Sequence, residues 1–117
     1  MTKLGKLLLL LGLVISTQSV ANTVCDSLAQ CQQVIQQNLY QHWKARYNYP
    51  GATVVLMVRN DLQGNIDVAI EKSSGFDPFD QSAVDAITQS LKQLAPRNLS
   101  EEDMAKLKVF KLNLSAE

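Results

Sequence analysis

The sequence predicts an α+β domain of the order helix-strand-strand-helix-strand, with a three-stranded antiparallel sheet and two helices packed on one face. Three observations support this. Apolar residues recur at three- and four-residue steps over two stretches, Asp26 to about Arg46 and Pro78 to about Leu94. Two strand-like runs, Thr53–Arg59 and Ile66–Lys72, flank the turn formers Asn60-Asp61-Leu62-Gln63-Gly64-Asn65 and should pair as a hairpin. A last alternating run, about Lys106 to Leu114, follows a loop containing Pro96. Placing both helices on one side of the sheet buries both apolar stripes and the inward faces of the strands.

A chain of 117 residues has room for one domain. Its first 21 residues are expected to lie outside that domain. Lys3 and Lys6 precede an apolar run from Leu7 to Ile15, and Ser19-Val20-Ala21 places small residues where a signal peptidase reads. The run is shorter than the roughly 20 apolar residues needed to span a bilayer. The expectation is therefore export, cleavage after Ala21 and a single domain over residues 22–117. Asn22-Thr23-Val24 before Cys25 is not the small-residue motif of a lipoprotein signal. Without Lys3 and Lys6 the chain has nine basic and eleven acidic side chains, a net charge of −2. No basic cluster is present to displace phosphate counterions or to hold an anionic membrane, so neither nucleic acid nor stable membrane insertion is expected. A soluble monomer is.

Cys25 and Cys31 are the only thiols. Export favours a disulfide between them, with free buried thiols as the other reading. In a continuous helix six residues rise about 9 Å, whereas a bridge needs Cα atoms within roughly 7 Å. If they are bonded, Cys25 must sit before the helix or on a distorted first turn. Metal binding would lack its other ligands, and the redox-active Cys-x-x-Cys spacing is absent.

The first helix can be capped by Asp26 or Ser27. Its stripe is Cys31, Ile35, Leu39 and Trp43, widened by Leu28, Val34 and Tyr40, with glutamines on most of the opposite side. Tyr49-Pro50-Gly51 breaks it, and Tyr47 and Tyr49 are expected to pack across the corner rather than form an exposed patch. Thr53–Arg59 reads as a strand buried on much of both faces, and Ile66–Lys72 as one with a solvated face. Next, Gly75 supplies a positive φ, Asp77 is placed as an N-cap, Pro78 opens the helix, and Asp80 adds negative charge to its first turn. Asn98 or Ser100 is expected to cap a short turn through Met104. In the last strand Phe110, Leu112 and Leu114 share one face, and Lys111 and Asn113 the other. Trp43, Phe79 and Phe110 are expected to anchor the core.

No catalytic constellation stands out. There is one histidine, His42, beside Trp43, no nucleophile next to a base and no glycine-rich phosphate loop. Asp77 and Asp80 are accounted for by helix termini. Asp61, Asn65 and Asp67 lack the spacing of an EF-hand loop. No enzyme, cofactor or metal is expected.

The stretch Ser73-Ser74-Gly75-x-x-x-Phe79-Asp80-x-Ser82-Ala83-Val84, followed by a small-residue helix, resembles the C-terminal domain of TolA and, more loosely, of TonB. Further matches are the helix with Ile35, Leu39 and Trp43, the Tyr49-Pro50-Gly51 corner, the hairpin, the Ala95-Pro96-Arg97 loop and the final strand. They extend from about Gln33 to Leu114. The resemblance implies the fold above, a place in the periplasm, and binding of envelope proteins of the Tol–Pal or TonB type. It also implies use of such domains by colicins and filamentous phage, and so a link to envelope integrity or import. That family commonly bridges its first helix to a strand; here strand Thr53–Arg59 has no cysteine. Its full-length members carry an uncleaved anchor and a long linker, whereas this sequence reads as a short signal followed at once by the domain. The expected mode of binding is strand addition to a sheet edge, with the last strand, Lys108, Val109, Phe110, Lys111, Leu112 and Asn113, as the edge. The alternative is a structural or assembly subunit of a larger envelope complex without Tol or TonB partners.

Overall fold

The structure is a computed structural model that describes residues 23–116. The expected leader, residues 1–21, lies outside them. In chain order the elements are β1 (Thr23–Cys25), α1 (Leu28–His42), a 3-10 turn (Lys44–Tyr47), β2 (Thr53–Asn60), β3 (Ile66–Lys72), α2 (Asp77–Lys92), β4 (Leu94–Pro96), α3 (Glu101–Lys108) and β5 (Val109–Ser115).

The main sheet has the order β3-β2-β5 and both pairings are antiparallel. Val54, Leu56 and Val58 of the central strand are fully buried. Leu114, Leu112 and Phe110 of β5 stand opposite them, and Ile70 and Val68 of β3 are opposite Leu56 and Val58. These positions share the face covered by the helices, as the strand period of two requires. Val55 and Met57 point the other way and are half-buried, so β2 is buried on one face rather than on much of both. A salt bridge from Lys111 to Glu71, at 3.2 Å, crosses that open face.

Cys31, Val34, Ile35 and Leu39 of α1 meet Phe79, Ala83, Ala86, Ile87 and Leu91 of α2 in one continuous core. The small alanines and the buried Ser90, whose hydroxyl returns to the Ala86 carbonyl at 2.9 Å, let α2 fit closely. The chain leaves helical geometry at Trp43 (φ −98°, ψ 80°), so α1 ends before Arg46. Trp43 is thereby driven into the core. It is fully buried, 5.2 Å from the Phe79 ring, and its indole N–H donates to Ser82 Oγ at 3.0 Å. A buried indole needs such a partner.

Four further expectations change. First, Lys106 and Lys108 belong to α3, not to the last strand, which begins at Val109. Ser100 caps α3 by accepting from Asp103 N–H at 3.1 Å; Glu101, Glu102 and Asp103 stand at its positive end and Lys106 and Lys108 at its negative end. Second, Asp77 is the first helical residue of α2 and makes no cap; Phe76 holds the cap position without a side-chain bond. Third, Phe110 is half-buried against the core, and the large buried anchors are Trp43, Phe79, Leu56 and Ile87. Fourth, Tyr47 is exposed, while Tyr49 packs across the corner, 5.9 Å from Phe79 and 5.3 Å from Phe76. Gly75 does take a positive φ, 94°.

A feature not read from the sequence is the parallel pair β1–β4. Thr23 N–H donates to Gln93 O at 2.6 Å and Arg97 N–H to Cys25 O at 2.8 Å, and Arg97 pairs with Asp26 at 3.1 Å. Cys25 ends β1, before the Ser27 cap of α1, and is bonded to Cys31 across a Cα–Cα distance of 5.0 Å. Both half-cystines are fully buried. The bridge thus ties β1 to the first turns of α1. Replacing both cysteines by alanine should cost roughly 2 kcal/mol in the chain-entropy picture and leave the rest of the fold intact. Urea unfolding would check this; an unchanged midpoint would mean that β1 is held by its hydrogen bonds alone.

Candidate functional site

Strand β2 has a neighbour on each side; among the described residues β3 and β5 have one each. The direction of the free backbone groups on β5 follows from the ladder. Ala116 N–H donates to Ala52 O at 2.8 Å, and the register pairs Val54 with Leu114, Leu56 with Leu112 and Val58 with Phe110. Hydrogen-bonded pairs alternate along an antiparallel ladder. The N–H groups of Phe110, Leu112 and Leu114 therefore point to β2, and those of Lys111, Asn113 and Ser115 point away from it, while Val109 N–H closes the end of α3 by donating to the Ala105 carbonyl. A groove of about 340 Å³ runs beside this edge. Gln32, Ile35, Gln36, Leu39 and Tyr40 of α1 form one wall, Phe110 to Leu114 of β5 form the other, and Lys106 and Leu107 of α3 close the end.

Each wall has a local cause. Leu107 is almost fully buried, and Asn60 Nδ2 donates to its carbonyl at 2.8 Å, so the end of β2 holds the α3–β5 junction. Tyr40 is held from two directions. Its ring is 6.4 Å from that of Trp43 and nearly parallel to it, and the Arg46 guanidinium lies 4.7 Å from its centroid. Arg46 donates to the Tyr40 carbonyl at 3.3 Å and to the Tyr47 hydroxyl, and lies 4.5 Å from the Tyr47 centroid. Stacking an arginine between two aromatic faces restrains all three groups. Phe110 and Leu112 turn to the core side yet stay half-buried, because α1 stands off from β5 along the groove.

The Ser73–Val84 junction is a structural latch rather than part of this groove. Asp80 is buried and accepts from Ser74 Oγ at 2.6 Å, Ser74 N–H at 3.1 Å and the Ser73 hydroxyl. Burial pushes its carboxyl up, but the bonds from Ser73 and Ser74 outweigh it and hold the group below its ordinary value. Asp61 is held low chiefly by the Asn65 side chain, then by Gln63 N–H, and closes the hairpin turn.

Of the residues expected on the edge, Val109, Phe110, Lys111, Leu112 and Asn113 lie along β5, and Lys108 ends α3. Tyr40, Ile35, Leu39 and Leu107 as walls of a groove were not read from the sequence. The first three do belong to an apolar stripe wider than one packing partner needs, which is the available signal. His42 is exposed at the end of α1. Among the described residues no group of three His, Cys, Asp or Glu could hold a metal ion, and no helix is long and apolar enough to cross a membrane.

A search of curated proteins finds no significant match. Among solved structures, the chain is similar to the solution structure of TolAIII bound to a peptide derived from the N-terminus of TolB. The TM-score is 0.57 and the identity 22%, covering 73% of this chain and 71% of that one. At this identity the likeness establishes the fold. A family model described as TonB C terminal matches residues 29–112, from α1 into β5. The protein belongs to the TonB C-terminal domain family.

Proposed function

We propose that the protein is a non-catalytic periplasmic adaptor that binds an extended segment of another envelope protein by adding it as a fourth strand to β5. The observation that supports this reading best is the row of outward N–H groups at Lys111, Asn113 and Ser115 beside an apolar groove. Main-chain bonds along such an edge supply affinity, and pockets for alternate side chains supply selectivity. The TolAIII structure contains a bound peptide of TolB, which makes proteins of the Tol–Pal or TonB type the first partners to examine. Colicin and phage proteins come next.

Lys111→Pro tests the edge directly. It removes an N–H that points away from β2, so it should leave the β2–β5 ladder in place while interrupting any added strand. With the oxidised protein as bait in envelope extract, Lys111→Pro should lose the proteins that wild type and Lys111→Ala retain. A folded proline variant that retains them would move the site off β5.

A further inference from the structure

We propose that the segment captured by β5 alternates apolar and acidic residues, with its apolar side chains seated against Tyr40 and its carboxylates beside Lys111. This inference rests on the reading of β5 as the docking edge and specifies what that edge selects. A strand added to β5 continues the pleat, so its successive side chains point to opposite faces of the sheet. On the helix side they enter the groove, whose floor and walls are Ile35, Leu39, Tyr40, Leu107, Phe110 and Leu112. The groove follows β5 past Phe110, Leu112 and Leu114, which sets room for three alternate side chains of the partner. On the open face they meet Lys111 and Asn113.

Charge decides the second half of the pattern. Lys111 is the one charged residue of β5 and stands on the open face, Lys106 stands at the end of the groove, and no carboxylate lines the groove. Each lysine has an acidic neighbour, Glu102 at 4.0 Å and Glu71 at 3.2 Å, but all four side chains are substantially exposed. Such pairs contribute little, and an incoming carboxylate can share the ammonium group. The opposite edge differs: β3 carries Asp67 and Glu71 on its open face. Alternation with acidic residues therefore favours β5 over β3 as well as a register within β5.

Tyr40 is the residue expected to contribute most. It is partly exposed, and its ring is already restrained by Trp43 and Arg46 before any partner arrives. A preorganised aromatic wall loses little side-chain entropy on binding, and tyrosine is over-represented among residues that dominate interfaces. Arg46 and Tyr47 act through it as positioning residues.

Three synthetic nonapeptides titrated into the full protein, with backbone amide shifts as readout, test the inference. One alternates valine with glutamate, one has the same composition in two blocks, and one alternates valine with lysine. The first should shift the amides of Val109–Ser115 and of Tyr40 and bind at least about tenfold more tightly than the other two. Tyr40→Ala should weaken it by about tenfold without changing the unperturbed amide spectrum elsewhere. Lys111→Glu should reverse the order of the glutamate and lysine peptides. Equal binding of all three peptides on β5 would overturn the selectivity and leave the edge reading standing. Shifts confined to β3 or to other surfaces would overturn both. Failure of the glutamate peptide while the Lys111→Pro capture experiment succeeds would overturn the selectivity alone.

Discussion

Phe79→Ala should lower the stability of the domain by roughly 3–5 kcal/mol, the cost of emptying a fully enclosed aromatic site. Phe79 is fully buried in the first turn of α2 and meets Trp43 at 5.2 Å and Tyr49 at 5.9 Å. It is the ring shared by the end of α1, the corner before β2 and the start of α2. Neighbours on three elements cannot all move inward, so the cavity should persist. Each kcal/mol corresponds to about 4–8 °C in a domain of this size, so the midpoint should fall by tens of degrees or the domain should fail to fold. Thermal unfolding followed by circular dichroism would measure this. A variant melting within a few degrees of wild type would place Phe79 outside the core.

Elements longer than two turns or strands with a full alternating period could be read from the sequence because burial acts on many residues at once. The stripes of α1 and α2 and the hairpin Thr53–Lys72 are of this kind. Short elements could not. β1 and β4 have three residues each, too few to show a period; the Cys25–Cys31 bridge fixes β1 to α1, and two backbone bonds join it to the chain around β4. The boundary at Lys108 also depended on competition: Lys106 and Lys108 fit an alternating strand, but the Ser100 cap and the three acidic residues after it carry the helix to Lys108. Asp77 lost the cap position because Ser73 and Ser74 anchor the turn through Asp80 instead, and this shifts the helix start by one residue.

The candidate site was legible only as a strand. The alternation of Phe110, Leu112 and Leu114 with Lys111 and Asn113 marks two faces, and its place at the end of the chain order suits an edge. The groove needs information that a linear pattern does not carry. Ile35 and Leu39 look alike in a stripe whether they meet a packed neighbour or an open channel. Their double use, against α2 on one side and the groove on the other, follows from α1 standing off β5. Arg46 restraining Tyr40 likewise depends on the 3-10 turn that brings the chain back over its own helix.

Asp80→Ala should cost roughly 2–4 kcal/mol, because it strips the acceptor from three donors at once. Ser74 N–H, Ser74 Oγ and the Ser73 hydroxyl all converge on this carboxylate, and together they fasten the end of β3 to the first turn of α2 through the Gly75 turn. Phe76 and Phe79 flank the latch, so loosening it should also loosen the site filled by the Phe79 ring. Asp80→Asn preserves the shape and one acceptor, and should lose less. The sign of the pH dependence follows from the lowered carboxyl value of Asp80 in the folded protein. Its stabilisation is complete above the unfolded value, about pH 4, and is lost as pH falls through the lower folded value. The wild type should thus exceed Asp80→Asn in urea midpoint at neutral pH, and the gap should close as pH falls below about 4 and through the lower folded value. Equal midpoints at neutral pH would show that the hydroxyls of Ser73 and Ser74 hold the turn without the charge. A gap that persists unchanged in acid would show that the asparagine variant is weakened by an amide donor facing the serine donors rather than by the missing charge.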